Sequence, residues 1–110
     1  MDDLLSKLAE MRKSYINSLP ETFKIIDEIE ENIKNNNCNI DDLKSFMQIV
    51  HKISGTSGIL GVNDLSQASS ELEIMLKKII KAEADFNVEK PLIIDHINKL
   101  RKVYAEISVL

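Results

Sequence analysis

Apolar side chains recur at intervals of three and four residues along almost the whole chain, and no segment alternates strictly between apolar and polar positions. This spacing collects the apolar side chains on one face of a helix, whereas a strand would require alternation. All three glycines lie between residues 55 and 61, so the long segments on either side contain no glycine. The pattern therefore predicts an all-α protein.

The region around Pro20 is predicted to separate two helices. Ser18 and Glu21 have the spacing of a capping box, and Pro20 would lie in the first turn of the helix that follows. We therefore expect a short accessory helix over residues 3–17 and a second helix over residues 19–35.

Three further helices are predicted downstream. Asn39 can cap a helix that extends at least to Ser57, and another helix covers about residues 64–84. Pro91 is expected to open the last helix, because proline is favoured in a first turn. Short loops between these helices favour an antiparallel four-helix bundle with an additional short N-terminal helix.

The composition is that of a folded globular protein. The 110 residues are 44% hydrophobic and 29% charged, which fits one domain over residues 1–110 that folds without disulfides or metal. A chain of this length that begins with methionine favours a free-standing protein. No apolar run approaches the roughly 20 residues of a membrane-spanning helix, so we expect no membrane contact.

Charge and cysteine content narrow the possible partners and the cellular location. The net charge is −4 with acids and bases interleaved, so the chain lacks the basic surface that binds nucleic acid. Cys38 is the single cysteine, so the sequence allows neither an intrachain disulfide nor a paired-cysteine metal motif. We expect a cytoplasmic monomer without metal or other cofactor.

The third predicted helix carries the most informative residue, His51. At about 100° per residue, His51 lies at the rim of the apolar face of this helix. The flank on which the imidazole lies also carries Lys44, Gln48, Gly55 and Gly58. Gly55 stands in mid-helix, where glycine costs about 0.5 to 1 kcal/mol relative to alanine. The missing side chain would leave room for a second protein to approach the imidazole.

The chemistry of this histidine suits a phosphoryl acceptor. Imidazole is largely uncharged at neutral pH, so one ring nitrogen is free to attack phosphorus. Support for the bound phosphoryl group is expected from Lys52, Lys44, Gln48 and Ser54. The sequence contains no phosphate-binding glycine loop and no obvious cluster of magnesium-binding acids, so the chain is not expected to be a kinase.

The segment VHKISGTSGILG, residues 50–61, resembles the motif of the histidine-containing phosphotransfer (HPt) domains of multistep two-component signalling. In this motif a glycine follows the histidine by four residues, and small residues, a hydrophobic residue and a second glycine come after it. The pair Leu72 and Glu73 is similar to the family's Leu-Glu signature. Together with the helical pattern, the resemblance covers most of the chain.

The resemblance implies that His51 accepts a phosphoryl group and passes it on, with receiver domains of response regulators and hybrid histidine kinases as partners. It implies that Gly55, together with Gly58, gives the partner steric access, and that Glu73 orients the imidazole. The partner would supply the reactive aspartate and the magnesium ion. Many members of the family carry lysine three residues after the histidine, where this chain has Ser54.

Apolar residues around the histidine are predicted to form the docking surface for the partner, with Ile49, Ile59 and Leu60 as candidates. Phosphoryl transfer between two proteins depends mainly on positioning, so the chain would need an accessible nucleophile and a surface rather than catalytic machinery. The lysines of the following helix, among them Lys77, are expected to form a solvated face.

Two other functions remain open on the sequence alone. A helical adaptor could bind a receiver or a kinase without accepting phosphate. A metal or ligand site using His51 and His96 would have a poor set of ligands, because no paired carboxylates or thiols stand nearby. The structural alternatives are helix packing for Gly55 and helix termination for Gly58.

Overall fold

The computed structural model describes residues 2–109, which form four helices. In chain order they are α1 (Asp2–Lys34), α2 (Ile40–Ile59), α3 (Asn63–Ile80) and α4 (Phe86–Ser108). Each helix packs against the next, and α4 closes the arrangement by packing against α1. The described residues contain no strand, so the predicted all-α four-helix bundle is confirmed. Within this range no helix has both the length and the apolar character needed to cross a membrane.

The apolar faces of the four helices meet in one continuous core. Every helix contributes to it, and the largest fully buried apolar side chains are Ile26, Ile33, Phe46, Val50, Leu65, Leu72, Leu76, Ile93, Ile97 and Leu100. Each such side chain stabilises the fold by about 1.5 to 3 kcal/mol relative to an exposed position. The core therefore fixes the rotation of α2 about its own axis, and with it the direction of each polar side chain on that helix.

Helix α1 continues without interruption past Pro20, so the predicted division into a helix over residues 3–17 and another over residues 19–35 is wrong. Proline has no N–H, and inside a helix it leaves the carbonyl four residues earlier, here that of Ile16, without its donor. The hydroxyl of Tyr104 on α4 donates a hydrogen bond to that carbonyl at 3.2 Å. A donor from another helix thus replaces the missing one, and the predicted additional N-terminal helix is the first part of α1.

The first part of α1 extends beyond the end of the bundle. At 1.5 Å per residue, the 33 residues of α1 span about 50 Å, whereas the 20 residues of α2 span about 30 Å. Arg12 marks the junction, because its Nε donates a hydrogen bond to the carbonyl of Leu60 at 2.9 Å. Every residue from 3 to 14 is exposed. The apolar side of this segment therefore has no cover in the part of the chain that the structure describes.

The ends of the other helices decide where the loops lie. Asn39 caps α2 as predicted, since its side chain accepts a hydrogen bond at 2.9 Å from a backbone N–H of the first turn. Helix α3 ends at Ile80, earlier than predicted, because Ala82 adopts a left-handed conformation with φ of 59°. Asp85 caps α4, so Pro91 lies inside that helix and does not open it.

Replacing Tyr104 with phenylalanine tests whether the hydroxyl stabilises α1 at Pro20. We expect Tyr104→Phe to lower the free energy of unfolding by about 1 kcal/mol, since the carbonyl of Ile16 loses its donor. The ring stacks on Phe23 with centroids 4.6 Å apart, and phenylalanine would keep that contact. In the Pro20→Ala background the substitution should cost less, because the N–H of alanine supplies the hydrogen bond. Urea denaturation measures both costs, and equal values would contradict this interpretation.

Candidate functional site

His51 lies on the flank of α2 next to α3, and 72% of its side chain is accessible to solvent. Its Nδ1 is 2.5 Å from Oε2 of Glu73, a carboxylate on α3 whose side chain is only 12% exposed. A neutral imidazole carries one proton, and this contact keeps it on Nδ1 as the donor to the carboxylate. The lone pair is then on Nε2. His51 thus offers a nucleophilic nitrogen in a fixed orientation.

A lysine on α3 also contacts the carboxylate of Glu73. Nζ of Lys77, one turn after Glu73, lies 3.6 Å from the same Oε2 atom. The carboxylate therefore stands between the imidazole and a cation that partly balances its charge. Lys77 is half-exposed, so its ammonium group is accessible from outside the bundle. The sequence analysis placed Lys77 among the solvated lysines and so missed its ion pair with Glu73. The four-residue spacing of Glu73 and Lys77 on one helix would have predicted this pair.

Small side chains let α2 approach α3 closely enough for this contact. Oγ of Ser66 donates a hydrogen bond to the carbonyl of Ser54 at 2.9 Å, and the hydroxyls of Ser54 and Ser70 are 2.5 Å apart. A Cβ atom added to Gly58 would lie 3.1 Å from Oγ of Ser66. The packing of α2 on α3 therefore explains why residue 58 is a glycine. Steric access for a partner was predicted for both glycines, and only Gly55 has open space beside it.

The flank of α2 beside the imidazole is open at Gly55. A Cβ atom added there would meet no side chain and no neighbouring helix within 4 Å. The alternative explanation of this glycine, packing against another helix, is therefore wrong. Lys44 and Gln48 lie on the same flank, and both are exposed.

The remaining predicted residues lie on other sides of α2. Lys52 and Ile49 line a groove between α1 and α2, on the side away from Glu73, so Lys52 is not brought to the imidazole. Ile59, at the end of α2, is 85% exposed. The prediction of Leu60 as a docking residue is wrong, because its side chain is buried in the core.

The two histidines do not form a common site. His96 lies on α4, which packs against α1 and α3, whereas His51 lies on α2. Among the described residues, no three potential metal ligands are grouped together. The chemistry of the site is therefore that of one imidazole with a carboxylate and an ammonium group beside it.

Comparison with known protein families matches residues 10–105 of the chain to the family model described as Hpt domain. The matched range contains all of α2 and α3, and with them His51, Gly55, Glu73 and Lys77. Comparison with the curated proteins and with the solved structures found no match.

Alanine substitutions distinguish the two glycines of α2. We expect Gly55→Ala to raise the free energy of unfolding by about 0.5 to 1 kcal/mol, because alanine favours the helix and the space beside it is open. Gly58→Ala should give a smaller gain or a loss, since its Cβ would crowd Oγ of Ser66. Urea denaturation measures both changes. A Gly55→Ala variant less stable than the wild type would show that this flank is packed after all.

Proposed function

Because the chain belongs to the Hpt domain family, whose members are phosphotransfer intermediates of two-component phosphorelays, we propose that it is a histidine phosphotransfer protein with His51 as the phosphoacceptor. The observation that carries the proposal is the 2.5 Å contact of Nδ1 with Oε2 of Glu73 on an otherwise exposed imidazole. In the proposal the proton stays on Nδ1 and Nε2 attacks with its free lone pair, so that no general base is needed.

The transfer exchanges one bond to phosphorus for another. Nε2 of His51 attacks the phosphorus of an aspartyl phosphate on a receiver domain, so that the P–Nε2 bond forms and the P–O bond breaks. The aspartate leaves as a carboxylate. The proton on Nδ1 stays in its hydrogen bond to Glu73, which stabilises the positive charge that develops on the ring. The same steps in reverse pass the group to an aspartate of another response regulator.

The partner supplies what this chain lacks for the reaction. In the proposal the receiver domain provides both the aspartate and the magnesium ion that neutralises charge on the phosphoryl group. His51 then needs only orientation and access, because transfer between two bound groups is governed mainly by positioning. The chain is accordingly proposed to have no kinase activity of its own.

Positive charge near the phosphoryl group is expected from Lys77. Phosphorylation of Nε2 adds roughly two negative charges across the imidazole ring from the carboxylate of Glu73, and these like charges repel unless a cation lies near them. Nζ of Lys77 is already within 3.6 Å of that carboxylate. Lys44 and Gln48 add a cation and an amide on the same flank of α2 as His51. Lys77 would thus supply the positive charge that many members of the family supply with a lysine at the position of Ser54.

Docking of the partner is proposed on the flank that Gly55 leaves open. Ile59 offers an exposed apolar contact there, and Ile49 contributes to the neighbouring groove between α1 and α2. The proposed partners are receiver domains of response regulators and of hybrid histidine kinases. A location in the cytoplasm stays a prediction.

Substitution of His51 tests the phosphoacceptor. Incubation with a receiver domain that carries labelled aspartyl phosphate should place acid-labile label on the wild type and none on His51→Gln. His96→Gln is the matched control and should be labelled like the wild type. Label on His51→Gln would contradict the assignment. Receiver binding without label on the wild type would favour a phosphate-independent adaptor instead.

Substitution of Lys77 tests the cationic support. We expect Lys77→Gln to lower the equilibrium share of label on this chain, relative to the receiver, by about two- to fivefold, because the phosphorylated site loses a compensating charge. The effect should shrink at high salt, which screens half-exposed charges. Lys78→Gln removes the neighbouring charge and should leave the distribution close to that of the wild type. If the share of label fell equally in both variants, the effect would come from the net charge of the chain and not from the position of Lys77.

A further inference from the structure

Acidic side chains are rare around His51, although the protein is acidic as a whole. Asp and Glu make up 18 of the 110 residues, yet residues 43–63 contain neither, and the only lysines or arginines there are Lys44 and Lys52. The charged side chains on either side of His51 along α2 are therefore both lysines. A second run without acids, residues 74–82, covers the last part of α3 and contains three exposed lysines, Lys77, Lys78 and Lys81.

Two contacts fix the register of α2 against α3. Nδ1 of His51 contacts the carboxylate of Glu73. Three residues later on α2, the hydroxyl of Ser54 contacts that of Ser70, which lies three residues earlier on α3. The two helices therefore run antiparallel, and each step forward along α2 corresponds to an equal step back along α3.

This register divides the surface around the imidazole into two halves. Toward the start of α2, Lys44 comes level with residue 80 and so lies near Lys77 and Lys81. These three residues are here called the lysine patch. Toward the end of α2, residues 54–59 face residues 65–70 of α3, and none of these residues is charged. They are here called the neutral half, so the surface is basic on one side of the imidazole and uncharged on the other.

The carboxylates of α3 nearest to the lysine patch are already paired. That of Glu73 is shared between the imidazole and one lysine of the patch. That of Glu71 accepts a hydrogen bond from Lys99 of α4 at 2.8 Å, on the other side of α3. Lys44 and Lys81 form no ion pair with any residue from 2 to 109. Their charges are therefore available to a partner.

Other acids lie beyond the lysine patch, at the end of the bundle. Asp42 and Asp85 accept backbone hydrogen bonds as part of helix caps, whereas Asp41 and Glu83 are exposed. Along the axis of α2, Asp41 is about 15 Å from the imidazole and Lys44 about 10 Å. Exposed charges are strongly screened beyond about 10 Å. The lysines therefore contribute more than these acids to the potential at the imidazole.

The helix dipole does not account for the whole lysine patch. It favours cations in the last turn of α3, where Lys77 lies. Lys44, however, lies near the start of α2, where the dipole favours acids such as Asp41 and Asp42. Lysines from opposite ends of two helices thus meet beside the imidazole, which indicates a negatively charged partner.

The partner in the proposed reaction has this charge. Mg²⁺ in phosphoryl-transfer sites is held by one or two carboxylates together with phosphate oxygens. An aspartyl phosphate adds roughly two negative charges, so a phosphorylated receiver site stays negative when its magnesium ion is counted. A chain with a net charge of −4 would repel such a site unless its docking surface were locally basic.

We propose that the lysine patch and the neutral half set the orientation of the receiver domain on this chain. The metal-binding carboxylates of the receiver lie over the lysine patch, and an uncharged part of its surface covers the neutral half. This proposal rests on the proposed function, which supplies the chemistry of the partner. Attraction between complementary surfaces acts mainly before contact, so the patch raises the rate of association more than it slows dissociation.

Binding kinetics in the absence of transfer test the attraction. The probe is a receiver domain from the genome that encodes this chain, loaded with Mg²⁺ and beryllofluoride, which imitates the phosphoryl group and cannot be transferred. We expect Lys44→Glu and Lys81→Glu each to lower the association rate constant by about three- to tenfold at low salt, with little change in dissociation. The loss should shrink at high salt.

Lys102→Glu is the matched control for net charge. Lys102 is exposed on α4, which packs against α1 and α3 and not against α2, so its substitution should change the association rate less than about twofold. Circular dichroism of all three variants should match the wild type, because the substituted side chains are exposed. An equal loss in the control would overturn the proposal, as would association that does not depend on salt, or no binding by any receiver of that genome.

Paramagnetic broadening tests the orientation. With Mn²⁺ in place of Mg²⁺ in the receiver, amide NMR signals of Lys44 and Lys81 should broaden more than those of Gly55 and Ile59. The opposite gradient, or an even one, would overturn the orientation.

Neither measurement requires His51 to accept phosphate, so the two proposals can fail separately. Label on His51 together with unchanged association of the Lys44 and Lys81 variants would overturn the docking proposal and leave the phosphoacceptor in place. Association that depends on these lysines, without label on His51, would support the docking proposal and overturn the phosphoacceptor.

Discussion

Small side chains on the facing sides of α2 and α3 allow the two helices to pack closely, and the geometry of the site depends on that closeness. Ser54 and Gly58 on α2 lie against serines of α3. Bulkier residues would separate the helices, and Glu73 would no longer reach the imidazole of His51. The core beneath the contact, and not the contact itself, holds the two helices in register. The orientation of the His51 imidazole is therefore a product of helix packing.

Local spacing is sufficient to predict the all-α bundle and to single out His51, since periodicity and the motif around the histidine are both short-range properties of the chain. The surroundings of the histidine are not predictable in this way. Lys77 belongs to a group of exposed lysines, and only the packing of α3 on α2 shows that it shares a carboxylate with His51. Leu60 is misassigned because it follows the last residue of α2, where the helical wheel no longer gives the direction of a side chain.

Pro20 shows how a contact between distant residues overrides a local signal. The spacing of Ser18 and Glu21 is typical of a helix start, yet the hydroxyl of Tyr104 satisfies the carbonyl that proline leaves without a donor. Helix α1 therefore stays continuous, and its first part extends past the end of the bundle. The continuity of α1 and the geometry of the site have this in common, because each depends on a contact between helices that are far apart in the sequence.

The bare backbone at Gly55 bears on how signalling specificity can evolve in such a protein. A side chain at this position would meet nothing within 4 Å, so under the proposed function the immediate surroundings of His51 do little to discriminate one partner from another. Selectivity must then come from contacts farther away, which can change without altering the nucleophile. On the proposed function, surface substitutions could therefore give such a chain a new partner while the chemistry at the histidine stays the same.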